Sequence, residues 1–233
     1  KKITSGLEFK KQGVCVDTSF IYLSIFEMLN FPKEKISLAT APTHVFITYK
    51  LFNKEHMNWE TIYDSDNLVL DGYYIYEKNK EINLMTLKET NYLINLNEKQ
   101  ILAFIYHEVS IALERTNDLK KSELFCFKSY NLCKNNIEIL EQVISKCIES
   151  GKFNQAEELA NKILYLNPKS IENHTNTATI FATIRFYTKD VNKRDELERK
   201  ISKELKFLLK NKVYSKKSIL EFVKEYKLEN IRL

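Results

Sequence analysis

Glycine and proline are scarce in this chain, which has four glycines and three prolines among 233 residues. Because these two residues most often interrupt helices and strands, their scarcity predicts long helices joined by short loops. The composition is 44% hydrophobic and 12% aromatic, which is enough to build a buried core, so intrinsic disorder is not expected. Where glycine and proline do occur, at Gly13, Pro32 and Pro42, we expect them to mark boundaries between helices and strands.

Several functional signatures are also absent. No apolar run reaches about 18 residues, so no transmembrane helix is predicted, and no secretory signal peptide is visible. A glycine-rich phosphate loop, an H-E-x-x-H motif, a C-x-x-C pair and a zinc-spaced Cys/His cluster are all missing. We therefore expect no cofactor and no metal. Cys126, Cys133 and Cys147 lie in helical stretches and are expected to be reduced core residues, which leaves cytoplasm and periplasm undistinguished.

Cys15 is the candidate nucleophile. It follows Gly13 and opens a stretch with apolar residues at helical spacing, at Val16, Phe20, Leu23 and Phe26. A thiol at a helix N-terminus faces unpaired backbone N–H groups and the positive end of the helix dipole, both of which favour the thiolate. A free cysteine is more often an inert core residue, so position alone does not establish this role.

Three predicted strands follow, over residues 36–40, 44–50 and 57–63, with the second and third forming a hairpin. Alternation along a strand places His44 on one face of the second strand and both Asn58 and Glu60 on one face of the third. An imidazole and an orienting polar group can thus meet beside a thiol, the arrangement that activates cysteine for acyl transfer. His56 is the rival base, but its place near the hairpin turn favours solvent exposure.

Three motifs together resemble the transglutaminase-like superfamily: Gly-Val-Cys at 13–15, Ala-Pro-Thr-His-Val-Phe-Ile at 41–47 and Asn-Trp-Glu-Thr at 58–61. The closer similarity is to a bacterial branch in which tetratricopeptide repeats follow the core. The resemblance implies an α+β papain-like core, with Cys15 as nucleophile and His44 as general base.

The superfamily usually has an aspartate as the third catalytic residue, where this chain offers Glu60, with Asn58 as the second choice. Either side chain can hold the imidazole tautomer that accepts the thiol proton. For the oxyanion, we expect the backbone N–H of Cys15 as donor, with the Gln12 side chain as a further candidate. Papain-like cores usually have helices before the nucleophile, so the resemblance also implies residues upstream of residue 1.

The second half has an internal period of 34 residues. In the unit 137–170, Gly151 lies in the turn and Pro168 ends the second helix, as in a tetratricopeptide repeat; the unit 103–136 matches more loosely, with Leu119 among its expected inward residues. A third unit begins at Ile171 and departs from the consensus, as terminal repeats do. We therefore predict a core over 1–95, repeats over 96–192 and a basic helical cap over 193–233.

The basic character of the chain is confined to the cap, because residues 193–233 hold 13 Lys/Arg against 7 Asp/Glu. A solvated lysine-rich face is favoured over an anionic membrane surface, and no nucleic-acid partner is expected. Two functions remain open. The first is a cysteine protease or transglutaminase-like acyl transferase or hydrolase acting through a Cys15 thioester, with the repeats presenting a protein or peptide. The second is a catalytically inactive papain-like core in a repeat-based interaction or scaffold protein.

Overall fold

The computed structural model describes residues 15–32, 34–51, 56–61, 68–78, 82–228 and 231. The chain divides into two compact units, Lys1–Glu138 and Ile139–Leu233. The first is mixed α+β with a small antiparallel sheet, and the second is helical. Among the described residues, no helix combines the length and the apolar character needed to cross a bilayer.

In the described part of the first unit, a helix is followed by the sheet and then by further helices. Its described elements are α1 (Cys15–Met28), β1 (Ile36–Ala41), β2 (His44–Lys50), β3 (His56–Trp59), β4 (Leu68–Leu70), a π-helix (Tyr73–Lys78), α2 (Leu84–Glu89), α3 (Glu98–Arg115) and α4 (Leu119–Leu132). The predicted first two strands are confirmed. The third was predicted over 57–63, whereas the described strand spans His56–Trp59, and residues 62 and 63 of the prediction lie outside the described residues.

The four described strands form one antiparallel sheet in the order β1-β2-β3-β4. A two-residue turn, Pro42-Thr43, joins β1 to β2, with Ala41 paired to His44. Proline fixes the first φ angle of this turn, and Thr43 takes the left-handed conformation at φ 60°. The turn therefore places His44 at the very start of β2.

The sheet has an apolar core on each face. Helix α1 packs on one face, against a cluster of buried residues formed by Ile36, Leu38, Val45, Ile47, Leu96 and Phe104. The π-helix packs on the other face, where the buried cluster is Ala39, Ala41, Phe46, Tyr74 and Leu93. Period-two alternation along β2 sorts these side chains, because Val45 and Ile47 face α1 whereas His44 and Phe46 face the π-helix.

The first compact unit extends beyond the domain boundary predicted at residue 95. The segment before α3 runs along β1, where the Leu93 N–H donates to the Thr40 carbonyl (2.8 Å) and the Leu96 N–H to the Leu38 carbonyl (2.9 Å). Phe104 of α3 then joins the core on the α1 face of the sheet. Helices α3 and α4, which follow residue 95, therefore belong to the same compact unit as the sheet. Leu119, expected to point inward, is 52% exposed because it begins α4 directly after its N-cap, Asp118.

The helical part continues with α5 (Ile137–Glu149), α6 (Phe153–Leu166), α7 (Ile171–Tyr187), α8 (Val191–Lys210) and α9 (Lys216–Glu225). Gly151 lies between α5 and α6 at φ 72°, a conformation that glycine adopts without strain. Ala156 and Ala160 of α6 are fully buried. A buried ion pair joins Arg185 of α7 to Glu198 of α8 at 2.5 Å.

Candidate active site

Helix α1 begins at Cys15, and its first two turns are tied to the sheet by hydroxyl groups. Ser19 Oγ donates to the Val45 carbonyl of β2 at 3.3 Å. Thr61, just after β3, lies within hydrogen-bonding distance of both Thr18 (2.8 Å) and Ser19 (3.0 Å). These bonds connect the helix end that carries the thiol to the two strands that carry the other candidate residues. Cys15 itself is half-buried.

His44 lies between Cys15 and Glu60. Its Nε2 is 2.5 Å from Glu60 Oε2, and the two side chains are only 9% and 5% exposed. A carboxylate can only accept, so Nε2–H is the donor in this bond. The imidazole also lies beside the Cys15 thiol, because both line the same cavity, and its interaction with that thiol lowers the thiol pKa. The predicted nucleophile, base and third member are thus brought together.

The environment of Cys15 favours the thiolate. Burial by itself raises the pKa of this thiol, but the hydrogen bond and positive charge of His44, together with the backbone N–H groups of Val45 and Val16, lower the pKa below its ordinary value of 9.0. Burial likewise lowers the pKa of His44, yet its bonds to Cys15 and Glu60 outweigh that effect and raise it to about 9. Below about pH 9, and above the lowered pKa of Cys15, the pair is therefore a thiolate beside an imidazolium.

Tyr74 is a further member of the site that sequence reasoning missed. Its hydroxyl donates to Glu60 Oε1, the carboxylate oxygen that does not face His44. The Tyr74 side chain is fully buried, and its ring stacks on Phe46 with centroids 4.5 Å apart and planes within 5°. Phe46 alternates with His44 on the same face of β2, and this shared face could have indicated that an aromatic partner would pack there.

Asn58, the second choice for the third member, does not contact His44. Its Nδ2 donates to Asp71 Oδ1 at 2.7 Å, and its buried Oδ1 has no hydrogen-bond partner among the described residues. His56, the rival base, also turns to Asp71, with its Nδ1 3.2 Å from Oδ2. Glu60 and His44 are therefore the pair beside the thiol, and Gln12 lies outside the described residues.

A cavity of about 120 Å³ opens beside Cys15 and His44. Two of its lining side chains are carboxyls, Glu108 and Glu138, and burial is the largest of the effects that raise the pKa of each. Glu138 Oε1 accepts from the Thr43 N–H at 3.0 Å, so it also supports the turn that precedes His44. The thiol of Cys15 and the imidazole of His44 therefore border one cavity together with these two carboxyl groups.

Within the part of the chain that the structure describes, no three His, Cys, Asp or Glu side chains converge as a metal would need. The arrangement that is present consists of a thiol, an imidazole and a carboxylate in series. Such a series can transfer a proton away from sulfur, form a covalent bond from sulfur to an electrophilic carbon, and return the proton to a leaving group.

Comparison of the chain with protein-family models, with curated proteins and with solved structures gave no match. The functional assignment therefore depends on the geometry of Cys15, His44 and Glu60 and on the chemistry that it permits.

Proposed function

We propose that the protein is a transglutaminase-like cysteine enzyme that performs acyl transfer or amide hydrolysis through a thioester on Cys15. The observation that carries the proposal is the series from Cys15 to His44 to Glu60, in which the His44 and Glu60 side chains are only 9% and 5% exposed. The imidazolium stabilises the thiolate, and the carboxylate orients the imidazole. This is the division of roles between nucleophile, base and orienting group that cysteine acyl transfer requires.

The proposed reaction has two steps. In the first, the Cys15 thiolate attacks the carbonyl carbon of an amide, a C–S bond forms, and the C–N bond breaks as His44 gives its proton to the departing amine. In the second, His44 removes a proton from water or from an amine, which attacks the thioester and releases the thiolate. Negative charge develops on the substrate oxygen in both steps, and the backbone N–H of Cys15 at the start of α1 is the proposed donor to it.

The resemblance supports two further proposals about architecture. The first unit would be a papain-like core, in which a helix that begins with the nucleophile packs on an antiparallel sheet that supplies the base. The helix pairs from α3 onward would be tetratricopeptide repeats that present a protein or peptide substrate. Helices of 13 to 20 residues from α3 to α8 and the turn at Gly151 are consistent with this proposal.

Alkylation of Cys15 against pH tests the proposed activity. Iodoacetamide and iodoacetate would be applied from pH 4 to 11, and modification of the Cys15 peptide would be followed by mass spectrometry. We expect reaction to begin well below the ordinary thiol pKa. The anionic reagent should be favoured while His44 is charged and lose that advantage as His44 deprotonates near pH 9.

Variants assign the effect to the named groups. Cys15→Ser should abolish the reaction at low pH, and His44→Ala should move it to higher pH and remove the preference for the anion. His56→Ala is the matched control, because this imidazole contacts Asp71 and should leave the profile unchanged. A Cys15 that titrates as an ordinary thiol in the wild-type protein would contradict the enzyme proposal and favour the inactive scaffold.

A further inference from the structure

Glu60 occupies the place where a shorter aspartate is usual in the family that the sequence resembles, and its two carboxylate oxygens have different partners. Oε2 meets His44 Nε2, whereas Oε1 accepts from the Tyr74 hydroxyl. Glutamate has one more rotatable bond than aspartate, so holding its carboxylate in one orientation costs more conformational entropy. A second, buried hydrogen bond to the other oxygen offsets that cost.

We propose that Tyr74 is the positioning residue of this site, and that its hydroxyl fixes the Glu60 carboxylate against His44. In this proposal Tyr74 affects the thiol through Glu60 and His44. The inference rests on the proposed function, because positioning of Glu60 matters only if His44 activates Cys15.

The Tyr74 ring is itself held by the sheet. It stacks on Phe46 of β2 at 4.5 Å and lies 6.4 Å from the His44 ring. Because the face of the phenol is occupied and the side chain is fully buried, the hydroxyl has little freedom to leave Glu60. The position of the donor is therefore set by aromatic packing and does not depend on solvent.

The segment that carries Tyr74 is anchored to the strand that leads into Glu60. Asp71, three residues before Tyr74, accepts from Asn58 of β3 at 2.7 Å and meets His56 of β3 at 3.2 Å. The backbone forms a π-helix from Tyr73 onward, a rare conformation that is frequently found at functional sites. One strand thus fixes both the carboxylate and the segment that orients it.

Tyr74→Phe tests the inference, since it removes the hydroxyl and keeps the ring on Phe46. The readouts are the His44 pKa, from the pH titration of its ring resonances by NMR, and the pH midpoint of Cys15 alkylation. Tyr73→Phe is the matched control, because the Tyr73 ring packs edge-on against Tyr74 and its hydroxyl has no hydrogen bond among the described residues.

If Tyr74 positions Glu60, its loss lets the carboxylate leave the imidazole. The His44 pKa should then fall by about 1 unit, and the midpoint of Cys15 alkylation should rise by about 0.5 unit or more. An unchanged His44 pKa would show that the hydroxyl only fills space. A rise would show that Tyr74 competes with His44 for the carboxylate, and either result overturns the inference. If the wild-type thiol is not activated at all, the proposed function fails first, and that result is visible before any variant is made.

A measurement on the wild-type protein keeps the test valid if Tyr74→Phe does not fold. A hydroxyl held by a buried carboxylate exchanges slowly with water, so its proton should give a separate downfield NMR resonance. Cross-relaxation to the Tyr74 ring protons assigns that resonance. A Tyr74 hydroxyl proton that exchanges at the bulk-water rate throughout the stable pH range overturns the inference.

Discussion

Replacing Glu60 by Gln removes the negative charge beside His44 and keeps the size and shape of the side chain. The pKa of His44 is raised from 6.5 to about 9, and each pKa unit corresponds to about 1.4 kcal/mol. Burial acts in the opposite direction, so Cys15 and Glu60 together contribute more than this net rise. Removing one of these two partners should therefore lower the His44 pKa by at least about 1 unit, which is a tenfold change in the imidazolium equilibrium.

The change at His44 also affects Cys15, because the imidazolium stabilises the neighbouring thiolate. With a less stable imidazolium beside it, the thiolate loses part of its stabilisation, and the alkylation profile of Glu60→Gln should shift to higher pH. The loss at Cys15 should be smaller than in His44→Ala, because the imidazole remains in place. In the same variant, the preference for iodoacetate over iodoacetamide should disappear at a lower pH than in the wild-type protein, since His44 loses its charge at a lower pH.

The assay is the NMR titration of the histidine ring resonances, with the His44 signal assigned by its absence from His44→Ala. Glu204→Gln is the matched control, because Glu204 forms the same kind of buried contact with His174 in the helical unit. That variant should disturb the His174 signal and leave the His44 titration as it is. A His44 pKa that changes by less than about 0.3 unit in Glu60→Gln would refute the reasoning, since the carboxylate would then have no charge effect on the imidazole.

Three further predictions concern stability. Thr43→Gly should raise the free energy of unfolding by about 0.5–1 kcal/mol in denaturant titrations, because a β-branched residue is strained at φ 60° and glycine is not; a loss of stability would contradict this. Ala160→Leu should lower it by about 1–3 kcal/mol, since Ala160 is fully buried, whereas Glu158→Leu on the exposed face of the same helix should change it by less than about 0.5 kcal/mol. Because the folded-state pKa of His44 is raised, the stability advantage of the wild-type protein over His44→Ala should be full below pH 6.5 and decline as the pH rises through about 9; an advantage that grows over that interval would contradict the ion pair.

The elements that carry the site could be predicted from the sequence because each has a simple period. The α1 pattern and the alternation in β2 gave both the helix start at Cys15 and the strand start at His44, and the structure has both. The choice between Asn58 and Glu60 could not be made in this way. Two residues that are two apart on a strand share a face, so only the geometry after Trp59, which brings Glu60 to His44, separates them.

Two features depend on interactions that a single sequence does not reveal. The position of Tyr74 depends on a π-helix. The hydrogen-bond spacing of a π-helix differs from that of an α-helix, so the residue patterns that predict α-helices and strands do not predict it. The first compact unit also includes α3, because Phe104 of this helix packs in the core on the α1 face of the sheet. In both cases the tertiary partner, Phe46 for Tyr74 and the sheet for Phe104, decides the outcome.

The polar groups on the π-helix face of the sheet favour a reactive site over a purely structural role. Glu60 is 4% exposed and Tyr74 is fully buried, so both were taken out of water to form their contact. Glu60 also forms an ion pair with His44. A pair of charges removed from water is often no more stable than apolar side chains of the same volume, and removing one partner is costly. If packing were the only requirement, apolar residues at these positions would therefore serve as well. The chain instead places a carboxylate against His44 and a hydroxyl behind that carboxylate, and the group at the end of this series that can react is the thiol of Cys15.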